Sequence, residues 1–169
     1  MPVPLRPESI IAALNDQEFH KKIRELSIAG QLPNERTLQA YVWNHLLKNT
    51  VEKYHDTGQR VYHDDWAIFI ELYEGKRKAY PDISFLRKTA LDDPRQRLFE
   101  IELKHHTSDY NIHPDEVKLL RKDVKKINDA HCGGAVLFTC PLEELYIDVI
   151  GSLIEDAEEN TSVIVIQCA

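Results

Sequence analysis

No apolar run in this chain approaches the roughly 20 residues that a membrane-spanning helix requires, which excludes a helical span. The N-terminus, MPVPLRPESII, lacks the basic-then-apolar order of a secretion signal, so the expected location is the cytoplasm. Cysteine is scarce: Cys132, Cys140 and Cys168 are odd in number, widely spaced and form no CxxC pair. They are expected to be reduced, mostly buried thiols. There is no G-x-S-x-G elbow, no Walker-A loop and no G-x-G-x-x-G, and Gly133-Gly134 alone reads as the start of a strand. Internal repeats, low-complexity tracts and linkers are missing too. A chain of 169 residues of which 43% are hydrophobic and 29% charged therefore reads as one domain with a substantial core.

Basic residues are missing from one region only. Residues 141–160 hold seven acids and no Lys or Arg, and residues 161–169 hold no charged side chain. The remaining chain carries 21 acids and 21 Lys or Arg, so the net charge of -7 belongs to the C-terminal segment. It does not veto a local basic groove elsewhere.

Residues 9–30 read as helical in two pieces, with Asn15 or Asp16 as the second N-cap and Gly30 then Pro33 as the stop. A longer helix follows Asn34, with Leu38, Val42 and Leu46 on one side. Residues 60–73 and 79–86 are rich in β-branched and aromatic residues and read as a hairpin around the EGK turn. The polar loop KTALDDPRQ leads to a third strand over 97–104, a helix over 114–129 and a buried strand, GGAVLFTC. A helix over 142–158 and the strand SVIVIQC complete the chain. Strands followed by strand–helix–strand units favour an α/β fold with a mixed central sheet flanked by helices.

A D/E-x-K triplet is common by chance: Glu74-Gly75-Lys76, Glu116-Val117-Lys118 and Asp123-Val124-Lys125 all qualify. The first lies in a turn and the others in a helix, where i and i+2 do not share a face. In a strand they do. Glu102 and Lys104, in LFEIELK, therefore project together while Ile101 and Leu103 pack on the other side. Alone, such a pattern also fits a half-exposed strand with its polar residues facing water. Asp82 follows Pro81, which suits a strand start or an edge, where an aspartate can turn inward.

Pro81-Asp82, followed after 19 intervening residues by Glu102-Leu103-Lys104, resembles the PD-(D/E)xK superfamily of restriction-endonuclease-like nucleases. The resemblance covers roughly residues 34–140. Glu35, near the start of the first core helix, and DVKKI at 123–127 match two further features of that family. The resemblance implies a restriction-endonuclease-like core of order α-β-β-β-α-β, followed here by a C-terminal α-β at 141–169. The helical extension at 1–33 is a departure from the family core. Glu100 is another departure: an extra acid two residues before Glu102, able to compete with it for a metal.

The activity implied by the resemblance is that of a Mg²⁺- or Mn²⁺-dependent nuclease, with DNA favoured over RNA as substrate. Asp82 and Glu102 would be ligands, the Leu103 backbone carbonyl a third, and Lys104 would orient water or neutralise charge. Glu35 shares its helix's apolar face and reads either as a further metal ligand or as a first-turn acid complementing the helix dipole. Lys118, Arg121, Lys122, Lys125 and Lys126 fall within about 140° of the helix surface, opposite Leu120, Val124 and Ile127. That stripe is either a nucleic-acid-binding face or an ordinary solvated one. His105, His106 and His113 invite a zinc reading, but strand neighbours point to opposite faces and no cysteine spacing supports it, so His105 or His106 reads instead as a substrate-contacting side chain. The competing function is a catalytically inactive module of the same fold that binds nucleic acid or a protein. The N-terminal helices or the acidic last helix would serve as its docking face, and the former are also the candidate homodimer interface.

Overall fold

The computed structural model describes residues 5–51, 66–71, 81–87, 97–106, 114–130, 132–141 and 146–168. Two short N-terminal helices, α1 (Pro7–Leu14) and α2 (Gln17–Ile28), precede α3 (Glu35–Leu46), which ends in a π-helical turn at Leu47–Val51. Asp16 caps α2 by accepting the Glu18 N–H, and Asn34 caps α3 by accepting the Thr37 N–H at 2.9 Å. Then come β1 (Trp66–Ile70), β2 (Ile83–Arg87), β3 (Arg97–His105), α4 (Pro114–Asn128), β4 (Gly134–Cys140), α5 (Ile147–Asp156) and β5 (Thr161–Gln167). The expected EGK turn, the polar loop at 88–96 and His113 lie outside the described residues, as do parts of the expected first strand and last helix.

The five strands form one mixed sheet in sequential order. β1–β2 and β2–β3 are antiparallel; β3–β4 and β4–β5 are parallel, with α4 and α5 carrying the two crossovers. Helices cover both faces. On one, α1, α2 and α3 bury Ile10, Leu14, Ile23, Leu38 and Val42 against Ile83, Phe85, Ile101, Leu103 and Leu137. On the other, α4 and α5 bury Leu120, Val124, Ile127 and Leu153 against Val136 and Phe138. β4, buried along its whole length, is apolar apart from Thr139 because both its sides are roofed. Each such aliphatic side chain contributes about 1.5–3 kcal/mol by leaving water.

Two local details set up the site. Pairing of β2 with β3 shifts register between Phe85 and Leu86, so Leu98 is an extra residue on β3. This bulge breaks the alternation: Leu98 and Phe99 both pack toward the N-terminal helices, and Arg97 reaches Glu100 three residues on. Beyond the bulge the period of two resumes, with Ile101 and Leu103 on the α1–α3 side and Glu102 and Lys104 toward α4. Gly134 lets β4 lie against β3, because a Cβ there would stand 2.0 Å from the Glu100 carbonyl oxygen.

Candidate metal centre

Asp82 stands one residue before β2. Its backbone carbonyl accepts the Glu71 N–H at 3.1 Å and Gln39 Nε2 at 3.0 Å. Glu71, just past β1, holds a left-handed φ of 46°, a conformation that costs a non-glycine residue about 1 kcal/mol. The Asp82 carboxylate in turn accepts the Leu103 N–H at 2.6 Å, which fixes it against β3. In a strand the N–H and C=O of one residue point to the same edge, so the Leu103 carbonyl also faces Asp82's side.

Glu102 is almost wholly buried, its side chain 4% exposed, and touches both the Asp82 carboxyl and the Lys126 ammonium. Burial pushes its carboxyl up to about 8, Asp82 adds to the rise, and Lys126 opposes it. Glu102 therefore keeps its proton well above the ordinary carboxylate range, and it hydrogen-bonds Asp82. Burial also raises the Asp82 carboxyl, against the Leu103 N–H and Lys104. Lys104 lies 3.5 Å from Glu35 and 3.6 Å from Asp123 on α4. Burial pulls its ammonium down, but Asp123, Glu35, Asp82 and Glu102 together outweigh that and hold it above its ordinary value. Asp123 is raised by burial against the two lysines. Glu35 also accepts the His105 N–H at 3.4 Å.

The structure thus brings together Asp82, Glu102, Lys104 and Glu35, and adds three groups not assigned to the site from sequence: Gln39, Asp123 and Lys126. Gln39 had a signal, being a polar residue four positions after Glu35 on the same helical face. Asp123 and Lys126 share a face at i, i+3.

Three expectations change. Lys126 leaves the basic stripe: at its margin, beside Asp123, its aliphatic stem runs inward and its charge meets Glu102. Glu100 does not compete for a metal, because it is fully buried and ion-paired with Arg97, which the bulge places on its face. His105 is structural: Nε2 donates to the Leu32 carbonyl at 2.9 Å and Nδ1 meets the Thr139 hydroxyl at 2.5 Å, leaving no lone pair for zinc. Of the other stripe residues, Lys118 pairs with Asp115, and Arg121 makes a two-bond contact with Asp156 of α5, at 2.6 and 3.1 Å. Lys122 and Lys125 line the same α4–α5 groove, together with Asp129 just past the end of α4 and Glu158 past α5.

Four carboxylates therefore meet two ammonium groups, a surplus of two negative charges when all are ionised. Among the described residues no three His, Cys, Asp or Glu side chains are gathered into a ready-made metal cage. The donors that do converge, the Asp82 and Glu102 carboxyls with the Leu103 carbonyl on the same side, are all oxygens, the kind of ligand a hard divalent cation takes together with retained waters. Compared with protein-family models, curated proteins and solved structures, the chain matches none.

Proposed function

We propose that this protein is a divalent-metal-dependent nuclease of the PD-(D/E)xK type, acting most readily on DNA. The observation that carries this is the convergence of Asp82 and Glu102, from separate strands, into one buried carboxyl pair with Lys104 beside them. The order α3, three strands, α4, β4 supports it, being the helix–three-strand–helix–strand core that the motif implies. Asp82, Glu102 and the Leu103 carbonyl would hold Mg²⁺ or Mn²⁺, which supplies an acidified water and charge for the scissile phosphate. The surrounding residues do the rest. Lys104, kept protonated by four carboxylates, serves as a fixed positive charge for the developing phosphorane and not as a general base. Glu35 and Asp123 hold that ammonium in place. Gln39 and Glu71 hold the Asp82 backbone, and Asp82 docks on Leu103, so the two carboxyls keep their spacing.

The test is cleavage of duplex, single-stranded and branched DNA and of RNA by the purified chain. We expect cleavage that EDTA abolishes and that Asp82→Ala or Lys104→Ala lowers by about 100-fold or more. Metal-dependent cleavage that survives both changes overturns the site.

One contact favours the second reading, an inactive module of the same fold. Lys126 stands on Glu102 as a built-in cation. Calorimetry separates the two: a nuclease centre takes up Mn²⁺ and loses it in Glu102→Ala, whereas a module neutralised by Lys126 ignores the metal.

A further inference from the structure

The carboxyl centre opens, past Lys104, into a cavity of about 180 Å³ between the first turns of α4 and the ends of β3 and β4. Lys104 forms its inner wall, and Leu119, Leu120 and Phe138 give it apolar sides. Three polar side chains, His105, His106 and Glu116, complete it. The His106 ring packs edge-on against Tyr146, 5.3 Å between centroids, and its Nδ1 lies 3.8 Å from the Glu116 carboxylate. Its Nε2 is buried and has no hydrogen-bond partner among the described residues. A buried polar atom left unmatched is a standing cost, and one that calls for an explanation. Leu119 at the mouth is 54% exposed, an apolar side chain left facing water on an otherwise charged helix.

A cavity with apolar sides, a cationic inner wall and the polar edges of His106 and Glu116 suits a flat heteroaromatic ring that carries hydrogen-bonding groups. Because Lys104 is common to the slot and the metal centre, the ring must belong to the nucleotide whose phosphate is cut. We infer that the cavity is a subsite for one unstacked nucleobase, held against Leu120 and Phe138 with its edge on His106. The inference rests on the nuclease reading and deepens it by naming the substrate class. In a duplex the bases are stacked and paired and cannot enter such a slot, so the substrate is a single strand, a flap or a frayed end. His106 is then a specificity residue.

The experiment measures equilibrium binding of a short single-stranded DNA by fluorescence anisotropy. Ca²⁺ replaces Mg²⁺, and one abasic residue is moved through the oligomer position by position. Cleavage in Mg²⁺ is mapped on the same set. One abasic position, next to the cut, should weaken binding about tenfold, as expected for loss of one stacked base. His106→Phe and Leu119→Trp should each erase that difference. His106→Phe should also raise the melting temperature, since it removes the unmatched nitrogen, and Leu119→Trp, at an exposed site, guards against a folding artefact. Equal binding of every abasic oligomer, or a base preference untouched by either variant, overturns the subsite. If cleavage occurs without base dependence, the subsite falls and the nuclease stands. Base-dependent binding without cleavage by the wild type keeps the base-binding slot and removes the nuclease. With neither, both fall.

Discussion

Glu102 is the residue on which most of the proposed chemistry turns. Its folded value of about 8 lies well above the usual 4.5 of a glutamate, so the folded state binds a proton that the unfolded chain has released. The stabilisation from this group is present in full below about pH 4.5 and disappears as pH rises through about 8. Asp82, before β2, and Asp123, on α4, shift the same way, while Lys126 on α4 limits the effect and Lys104 titrates outside the window. In EDTA the unfolding free energy from urea titrations should fall by a few kcal/mol between about pH 5 and pH 8.5. Glu102→Gln, neutral at every pH, should flatten most of that decline. A wild-type profile that is level or rising across the window removes the argument that the centre is over-supplied with negative charge.

The elements matter through the way β3 meets its neighbours. Gly134→Ala drives a methyl group into the Glu100 carbonyl and the Ile127 side chain and should cost more than about 2 kcal/mol, because backbone must move. Gly151, on the exposed side of α5, has open space where a Cβ would be, so Gly151→Ala should add about 0.5–1 kcal/mol. Melts of the two variants check both signs. The elements were largely legible in the sequence, since their periods of two and 3.6 are set by burial on one or both sides. The consecutive apolar pair Leu98-Phe99 in LFEIELK was the trace of the bulge, a break in alternation that one face could not absorb. Glu102 and Lys104 could be placed together because strand geometry alone decides it. Gln39 showed only that it shares a helical face with Glu35; its partner, the backbone of Asp82, is 43 residues away and leaves no local trace. Lys126 could not be placed: it lies on the boundary of the basic arc, where helical phase leaves open whether a long side chain turns outward or in.

Across the whole molecule, charge is arranged in opposition. The acidic α5 lies beside the basic side of α4, and Asp156 clamps Arg121. Any nucleic-acid contact through this groove is therefore weaker than four cations suggest. Asp156→Asn should release Arg121 and steepen the salt dependence of DNA binding by about one unit of log K per log salt, measured by anisotropy. An unchanged slope would mean that DNA does not cross this face.

The N-terminal helices show the same interdependence. Ile10, Leu14, Phe19 and Ile23 belong to the apolar cluster that backs β2 and β3, and the Leu32 carbonyl holds the ring of His105, the residue after Lys104. What read as an appendage is thus a supporting wall of β3. No trimmed, portable version of this centre can be lifted out for grafting elsewhere. Its first thirty-odd residues must travel with it, because their buried side chains and the Leu32 carbonyl back β3.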